Sequence, residues 1–146
     1  MSNDIDIQIV DYNSDLQKEA IELRTKVLRE PLGLVYTSEQ LADEENEVHI
    51  VALKNEKVVG VLLLKKIDNT ILKMRQVAVD THLQQKGIGK KLVIFAEEYA
   101  IKNRYKEIEL HARDEAKDFY QALNYKIVGN SFIEVGILHY KMEKEF

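Results

Sequence analysis

The first third of the chain changes from a two-residue repeat of apolar positions to a helical one. Three isoleucines alternate with polar residues over residues 5–9, which predicts a first strand with one buried face. Ser14 and Gln17 then form the capping-box pattern of a helix N-terminus. The predicted helix runs up to a stop at Pro31 and has these apolar residues at helical spacing: Leu16, Ala20, Leu23 and Val27. A short helix is expected in the acidic segment over residues 37–47.

Three apolar runs in the middle of the chain predict three consecutive strands. They span residues 48–53, 58–67 and 71–79. Polar turns at residues 55–57 and 68–70 separate the runs. Links as short as these join antiparallel neighbours. This part of the chain is therefore expected to form an antiparallel meander.

The second half of the chain shows both the helical spacing and the two-residue alternation of apolar positions. A predicted helix from Ile88 precedes a fifth strand over residues 107–111. Asp114 is expected to cap a further helix over residues 116–123. The last two predicted strands span residues 125–135 and 137–142. This order of elements predicts an α/β fold, a mixed sheet of about seven strands with flanking helices.

Composition limits the classes of protein to which the chain can belong. With 146 residues, 45% of them apolar, it has the size and apolar content of a single globular domain, predicted to span residues 1–146. The 21 basic and 25 acidic residues are interspersed and give a net charge of −4, which is not the basic footprint of a nucleic-acid-binding protein. Because the chain has no cysteine, it has no disulfide, thiol nucleophile or thiolate metal site.

The chain also lacks the signals of export and of membrane insertion. Residues 1–6 have neither the basic nor the apolar region of a signal peptide. The longest apolar run, residues 58–64, is far too short for a membrane span. Together with the absence of cysteine, these features predict a cytoplasmic protein with no membrane partner.

A glycine-bearing turn before the helix at Ile88 is the strongest sign of chemistry. Gln84, Gly87 and Gly89 form the pattern Q-x-x-G-x-G. Such a turn lets free backbone N–H groups and the helix dipole converge on an anion, and glycine permits its close approach. One residue between the glycines excludes a P-loop, and Leu92 stands where a dinucleotide fingerprint needs a small residue. The turn therefore predicts a phosphate-carrying ligand, unless its glycines only shape a loop.

Three features of the chain and the order of its elements resemble the GNAT N-acetyltransferase superfamily over essentially the whole length. They are the strand Val77–Val79, the Q-x-x-G-x-G turn, and Phe119-Tyr120 five residues ahead of Tyr125. The C-terminal pattern F-x-E-x-G-I-x-H-x-x-M is similar to a small branch of uncharacterised bacterial GNAT acyltransferases. Asn124 departs from the glycine usual in that branch, but asparagine tolerates a positive φ and is expected to keep the turn.

The resemblance implies acetyl-CoA as the acyl donor, with no metal. Its pyrophosphate is expected on the backbone amides of the turn, and its pantetheine arm along the strand at a β-bulge near residues 77–79. A backbone N–H there would hold the thioester oxygen. The residues expected to bind acetyl-CoA are Val77, Ala78, Val79, Gln84, Gln85, Lys86, Gly87, Ile88, Gly89, Lys90 and Phe119.

Acetyl transfer from a thioester to an amine takes a proton from the amine and gives one to the leaving thiolate. The resemblance implies that Tyr120 is the general acid; the alternative is a tyrosine that only packs in the core. The carboxylate that many GNAT members have early on the fourth strand is absent, because Lys73 and Arg75 stand there. Glu134 and His139, together with His111, are candidates for the base, and the alternative for each is a structural hydrogen bond.

The acceptor is expected to be a primary amine on a small molecule or peptide, and the net negative charge favours a cationic one. Arg24, Arg75 and His111 are candidate acceptor contacts. Arg24, Arg29 and Arg75 can bind a carboxylate or phosphate, and the alternative is that they are solvated helix arginines. A metal site at His111, Glu134 and His139 is a weak alternative because these residues lie on separate strands. Two other functions stay open, a non-catalytic acyl-CoA-binding module and an interaction domain that keeps only the fold. An exposed sheet edge can also support a homodimer.

Overall fold

The computed structural model describes residues 4–84 and 86–146. These residues form seven strands, β1 (Asp6–Val10), β2 (Val48–Lys54), β3 (Lys57–Lys66), β4 (Ile71–Val79), β5 (Glu107–Arg113), β6 (Lys126–Glu134) and β7 (Ile137–Glu145). They also form four α-helices, α1 (Asp15–Arg24), α2 (Ser38–Ala42), α3 (Ile88–Lys102) and α4 (Lys117–Ala122). In these two ranges, no helix has the length and apolar character needed to cross a membrane.

The strands form one mixed sheet in the order β1-β2-β3-β4-β5-β7-β6. β4 and β5 are parallel, whereas β2 pairs antiparallel with both β1 and β3, and β7 pairs antiparallel with both β5 and β6. The predicted α/β fold, a mixed seven-stranded sheet with flanking helices, is thus confirmed. The β2–β3 pairing also confirms the first link of the predicted meander.

The chain divides into two compact units. One comprises the residues up to Lys65 together with Gln76–Ala96, and the other comprises Lys66–Arg75 together with Glu97–Phe146. The first unit contains β1, β2, β3 except its last residue, α1, α2 and the glycine-bearing turn. The second contains β5, β6, β7 and α4, while β4 and α3 contribute residues to both.

Two-residue turns with positive φ angles form one hairpin in each unit. Asn55 (φ +51°) and Glu56 (φ +67°) link β2 to β3. Val135 (φ +46°) and Gly136 (φ +75°) link β6 to β7. Type I′ turns need two positive φ angles and match the twist of the flanking strands. Val135 is strained there, because a β-branched side chain disfavours positive φ, and the strand predicted to include it ends one residue earlier.

The first helix begins as predicted and ends differently. The Ser14 side chain accepts a hydrogen bond from the Gln17 N–H (3.2 Å) and so caps α1. The α-helix ends at Arg24, and a π-helical turn follows over Thr25–Arg29. The helix predicted up to Pro31 is therefore confirmed only for its first part. A π turn has no local sequence signature comparable to a cap, so the periodicity did not indicate it.

Asp114 does not cap α4, contrary to the prediction. A 3₁₀ turn over Asp114–Ala116 precedes the helix, and the N-cap residue, Ala116, makes no side-chain hydrogen bond. The Asp114 carboxylate instead accepts a hydrogen bond from Lys117 Nζ (3.1 Å). The extra turn takes up residues that the sequence pattern assigned to the helix, and α4 has only six residues.

The central strands β2 and β3 are buried on both faces, as continuous apolar runs predict. On one face α1 packs against a cluster that includes Val51 and Val61. On the other face, the missing side chain of Gly60 lets α3 approach the sheet. A Cβ built on Gly60 would lie 2.9 Å from Leu92 Cδ1 and 3.2 Å from Ile88 Cγ2. The start of α3 is therefore held close to β3.

We expect Gly60→Val to destabilise the protein by about 1–3 kcal/mol, because its side chain overpacks the contact with Leu92 and Ile88. Urea unfolding measures the change in the free energy of unfolding. Gly60→Ala is the matched control with a smaller expected loss, since the Leu92 methyl group can rotate away from a single Cβ. Equal stability of wild type and Gly60→Val would show that this contact does not hold α3.

Candidate active site

The turn between β4 and α3 is ordered by its own side chains and backbone groups. The Asp80 N–H bonds the Val59 carbonyl oxygen (2.9 Å), and the Asp80 carboxylate accepts a hydrogen bond from the His82 N–H (2.9 Å). The Gln84 amide donates to the Val79 carbonyl oxygen (3.2 Å). Gln84, predicted to bind the cofactor, thus ties the turn back to the last residue of β4.

The start of α3 has the conformation of an anion-binding turn. Gly87 has φ +85°, and a Cβ built there would meet no atom within 4 Å. The first helical hydrogen bond runs from the Lys91 N–H to the Gly87 carbonyl oxygen (3.1 Å). The N–H groups of Ile88, Gly89 and Lys90 precede that bond, so the helix itself offers them no acceptor. They form the positive end of the helix dipole.

The side chains of the helix start divide into a buried and an exposed group. Ile88 is 3% exposed and packs in the core, so only its backbone can contact a ligand. Lys86 and Lys90 are exposed. Gln85, which the sequence also assigns to the cofactor, lies outside the described residues. The turn therefore offers backbone donors flanked by two lysines.

The backbone of β4 changes conformation at Gln76. This residue directly precedes Val77–Val79, the part of β4 predicted to hold pantetheine. Gln76 has φ +54°, which is uncommon for any residue except glycine. The parallel register of β4 with β5 runs from Ile71↔Glu107 to Met74↔Leu110. A residue with positive φ inside a strand is a feature of β-bulges, which interrupt a ladder. The irregularity thus lies just before residues 77–79, where a bulge is expected.

Gln76 is held by a tyrosine that contacts two arginines. The Tyr36 hydroxyl donates a hydrogen bond to Gln76 Oε1. Cζ of Arg24 lies 4.6 Å from the centroid of the Tyr36 ring, and Cζ of Arg29 lies 4.7 Å from it. The i→i+5 bonding of the π turn brings the two arginines to one side of the helix. Burial raises the pKa of Tyr36, although both arginines act to lower it, so Tyr36 is a neutral phenol.

The two arginines differ in burial and in partners. Arg24 is 1% exposed and forms an ion pair with Glu44. Arg29 is half-buried, and no carboxylate in residues 4–84 and 86–146 pairs with it. Arg75, on β4, is also half-buried and interacts with other groups of the protein. The charge of Arg24 is therefore matched within the protein, and the acceptor contacts expected of Arg24 and Arg75 stay predictions.

Tyr120 is placed by the C-terminal cap of α4. The Tyr125 N–H bonds the Tyr120 carbonyl oxygen (3.0 Å), and the Asn124 N–H bonds that of Gln121 (3.0 Å), which is the Schellman pattern. Asn124 has φ +72°, so asparagine keeps the turn without glycine, as predicted. The motif brings the Tyr120 and Tyr125 rings into an edge contact with centroids 5.8 Å apart.

The Tyr120 side chain has an apolar surrounding and an unpaired hydroxyl. It is 6% exposed, and its ring centroid lies 5.0 Å from that of Phe119, which is itself 38% exposed. Desolvation by this burial raises the pKa of Tyr120, so the phenol keeps its proton at neutral pH. No group within the described part of the chain bonds the hydroxyl. Tyr120 is thus a protonated donor.

A half-buried ion pair between Glu97 and Lys144 holds the C-terminal cap of α4 in place. The Tyr125 hydroxyl donates to Glu97 Oε2 (2.9 Å), while Lys144 Nζ lies 3.1 Å from each carboxylate oxygen of Glu97. Lys144 also donates to the Leu123 carbonyl oxygen (3.0 Å). Burial raises the pKa of Tyr125, and the adjacent Glu97 carboxylate raises it further. These contacts connect α3, α4 and β7 within the second unit.

Three predicted site residues come together on β5, β6 and β7. His111 Nδ1 lies 3.1 Å from Glu134 Oε1, and His139 Nε2 lies 3.6 Å from Glu134 Oε2. The Phe132 ring contacts both imidazoles, at centroid distances of 4.9 Å and 5.8 Å. His139 Nδ1 lies 2.8 Å from the Ile137 carbonyl oxygen and must donate to it. This bond orients the ring so that Nε2 faces Glu134.

Exposure differs within this histidine–glutamate cluster. The side chains of Glu134 and His111 are 45% and 27% exposed, and that of His139 is 5% exposed. A small molecule can therefore reach the Glu134 carboxylate, which forms a hydrogen bond with His111 and lies beside the His139 ring. In the two described ranges, no group of three His, Asp or Glu side chains is arranged to hold a metal ion.

Sequence reasoning missed several residues that organise these sites. Glu97 and Lys144 are 47 positions apart, and no local pattern connects them. Tyr36 and Gln76 are 40 positions apart. An aromatic residue in the short segment before α2 was the one available signal for Tyr36. Glu44 stands in an acidic run that reads as a solvated helix face, but it is 2% exposed.

One protein is similar to this chain in sequence, and several proteins of known structure share its fold. The uncharacterised protein YyaT of Bacillus subtilis is 29% identical over 97% of this chain and 96% of its own. The structure of a candidate N-acetyltransferase from Lactobacillus plantarum has a TM-score of 0.86 and 22% identity, over 98% of this chain and 99% of that one. A GNAT family acetyltransferase from Elizabethkingia anophelis, solved with acetyl-CoA bound, has a TM-score of 0.77 and 16% identity, over 99% of this chain and 100% of that one.

A family model covers most of the chain. It describes the acetyltransferase (GNAT) domain and matches residues 14–146. Every predicted site residue lies in that range. The match confirms the resemblance to the GNAT superfamily that was found in the turn, the strand before it and the C-terminal pattern. The chain belongs to the GNAT acetyltransferase family.

Proposed function

We propose that the protein is an N-acetyltransferase that moves the acetyl group of acetyl-CoA to the primary amine of an acceptor. The observation that carries the proposal is the start of α3, where Gly87 and three N–H groups without a helical acceptor follow β4. A family member of the same fold has acetyl-CoA bound. When bound, acetyl-CoA supplies an acetyl group activated as a thioester.

The turn residues fit a pyrophosphate. The N–H groups of Ile88, Gly89 and Lys90 can bind its oxygens, because a helix N-terminus favours negative charge. Gly87 has no side chain to block that approach, and its positive φ strains any other residue. The exposed side chains of Lys86 and Lys90 add charge-assisted hydrogen bonds to phosphate.

The last residues of β4 fit the amide-rich pantetheine arm. Val77–Val79 follow the change of backbone conformation at Gln76. Their backbone groups can pair with an extended ligand as they would with an added strand. A backbone N–H there can also hold the carbonyl oxygen of the thioester as negative charge develops on it. Phe119, which is 38% exposed, adds an apolar contact for the arm.

Tyr120 gives a proton to the leaving thiolate in this proposal. Counted from the ammonium form of the acceptor, the reaction forms an N–C bond, breaks the C–S bond, removes two protons from nitrogen and adds one to sulfur, so that one proton is released to solvent. Tyr120 suits the last step because its phenol is protonated at neutral pH and its hydroxyl has no partner in the described part of the chain. Since burial disfavours the phenolate, the lost proton must be replaced within the same turnover.

Glu134 and His139 take the proton of the amine. An alkyl amine has a pKa of about 10.4 and is mostly cationic at neutral pH, so it needs a base before it attacks. The Glu134 carboxylate is accessible, and His139 lies beside it with its ring fixed by Ile137. His111 holds the other carboxylate oxygen and contacts the acceptor.

Binding of acetyl-CoA is the first test of this proposal. At a concentration about a hundred times its Kd, a ligand adds about 2.7 kcal/mol of stability, so the midpoint of thermal unfolding should rise by roughly 5–10 °C. We expect Gly87→Val to weaken acetyl-CoA binding by about tenfold or more, equivalent to about 1.4 kcal/mol, because a side chain there blocks the approach to the N–H groups. Titration calorimetry measures the Kd of each variant.

Gly129→Val is the matched control for this test. Gly129 has φ +73° and, like Gly87, would place a Cβ in open space. Both substitutions therefore strain the backbone to a similar extent, but only Gly87→Val touches the proposed phosphate site. If Gly87→Val and Gly129→Val bound acetyl-CoA with equal affinity, the turn at Gly87 would not be the phosphate site.

A non-catalytic acyl-CoA-binding module is the second candidate function. Lys73 and Arg75 occupy the part of β4 where many family members carry a carboxylate. Such a module binds acetyl-CoA but transfers no acetyl group. The formation of an acetylated amine distinguishes the two functions.

A further inference from the structure

We infer that the acceptor amine carries an oxyanion, a carboxylate or a phosphate, that binds to Arg29. This inference rests on the proposed acetyl transfer and specifies its substrate class. It arises from the cluster of Arg24, Arg29, Tyr36 and Glu44 in the first unit, in which Arg24 forms an ion pair with Glu44.

The charges of this cluster do not cancel. Arg24 is buried, and its guanidinium is matched by the carboxylate of Glu44. Arg29 brings a second positive charge, and no carboxylate of the described residues pairs with it. The Nε atoms of Arg29 and Arg24 are both buried and form no hydrogen bond, but only the Arg24 guanidinium faces a carboxylate among the described residues. A buried guanidinium donor without a partner costs free energy unless a ligand satisfies it.

The contact with Tyr36 leaves Arg29 able to bind an oxyanion. The Arg29 guanidinium lies over the Tyr36 ring, with Cζ 4.7 Å from the centroid. One Arg29 donor forms a side-chain hydrogen bond with the Tyr36 hydroxyl. Stacking uses the flat face of the guanidinium, so its remaining N–H donors lie in the plane and point away from the ring. Those donors match the two oxygens of a carboxylate or phosphate. The stacked ring also fixes the orientation of Arg29 before a ligand arrives.

The position of Arg29 connects the anion to the reacting group. Tyr36 stacks on Arg29 and donates a hydrogen bond to Gln76, which directly precedes the Val77–Val79 backbone assigned to the pantetheine arm. An oxyanion on Arg29 is thus separated from that part of β4 by one tyrosine side chain. The acceptor that fits is a small molecule in which the amine and the anion are a few bonds apart. The net charge of −4 does not prevent an anionic acceptor from binding, because Arg29 provides a positive charge at the site itself.

The test measures acetyl transfer to matched pairs of amines. Amino acids are paired with their primary amides, and phosphoethanolamine is paired with ethanolamine, so that each pair differs in the anion. We expect wild type to have a kcat/KM about 10- to 100-fold higher for the anionic member. The pairs that respond distinguish a carboxylate from a phosphate. Arg29→Gln should remove the preference, because it lowers kcat/KM for the anionic member about 10- to 100-fold more than for the neutral member.

Two further variants separate charge recognition from structure. Arg29→Lys keeps the cation and should retain part of the preference for the anionic member. Lys26→Gln removes an exposed cation from the same π turn and should change nothing. If Arg29→Gln lowered kcat/KM equally for both members, or if wild type acetylated both equally, the inference would be wrong while acetyl transfer stood. If acetyl-CoA bound but no amine were acetylated, the proposed transferase function would fail and the inference with it.

Discussion

Tyr120→Phe is expected to lower the turnover of acetyl transfer by about 100-fold, the scale of a general acid contribution. The substitution removes one oxygen and keeps the ring that packs against Phe119 and Tyr125. In the structure, the hydroxyl is protonated and bonds no group of the described residues, so its loss leaves no partner unsatisfied. Steady-state kinetics should therefore show a lower kcat, while calorimetry shows an unchanged Kd for acetyl-CoA.

Tyr105→Phe is the control for the loss of a phenol elsewhere. Tyr105 lies between α3 and β5 and is outside the proposed site, so this variant should keep the turnover of wild type. The thermal midpoint of Tyr120→Phe should stay close to that of wild type, because only the hydroxyl is lost. An unchanged kcat in Tyr120→Phe would exclude Tyr120 as the acid and leave it as a core residue.

Arg24→Ala is expected to destabilise the protein by about 3–5 kcal/mol, the usual cost of removing one partner of a buried ion pair. Arg24 is 1% exposed and Glu44 is 2% exposed, so the substitution removes a guanidinium from contact with a buried carboxylate. The stacking of Arg24 on Tyr36 is lost as well. A small domain has a stability of about 5–15 kcal/mol, so the loss is a large part of the total. Urea unfolding measures it.

A double variant shows whether the buried charge causes the loss of stability expected for Arg24→Ala. Arg24→Met combined with Glu44→Gln removes both charges and keeps most of the volume, so it should recover much of the stability lost in Arg24→Ala. Should the double variant be as unstable as Arg24→Ala, packing and not charge would account for the loss. Wild-type stability of Arg24→Ala would show that the ion pair contributes little.

The secondary structure could largely be predicted because its signals are local. The runs that became β2 and β3 have the continuous apolar character of buried strands, and β4 has an alternating pattern over its first residues. The conformation at Asn124 also followed from a local rule, the tolerance of asparagine for positive φ. The π turn after Arg24 was not predicted, because α and π turns are built from the same residue types.

The candidate site could be predicted as a list of residues but not as an arrangement. Glu134, His111 and His139 stand out by residue type. Their contact depends on β7 lying between β5 and β6, where Arg113 and Phe132 both pair with His139. That strand order inserts a later strand between two earlier ones, which no periodicity reveals. The same holds for Tyr36, whose contact with Gln76 spans 40 positions.

The role of Arg24 shows how burial changes an interpretation from sequence. An arginine near the end of a helix reads as an exposed cation that is available to a ligand. In the structure Arg24 is buried against Tyr36 and paired with Glu44. The neighbouring Arg29 has the same stacking partner but no carboxylate among the described residues. The difference between the two arginines comes from the π turn and from an acidic residue 20 positions away from Arg24.

The most direct test of the account is mass spectrometry of a mixture of primary amines incubated with the protein and acetyl-CoA, with the release of CoA thiol followed in parallel. We predict that amines gain one acetyl group each, that CoA appears in equal amount, and that both products are nearly lost with Tyr120→Phe. If the protein binds acetyl-CoA but acetylates no amine, the account is contradicted and the protein is an acyl-CoA-binding module.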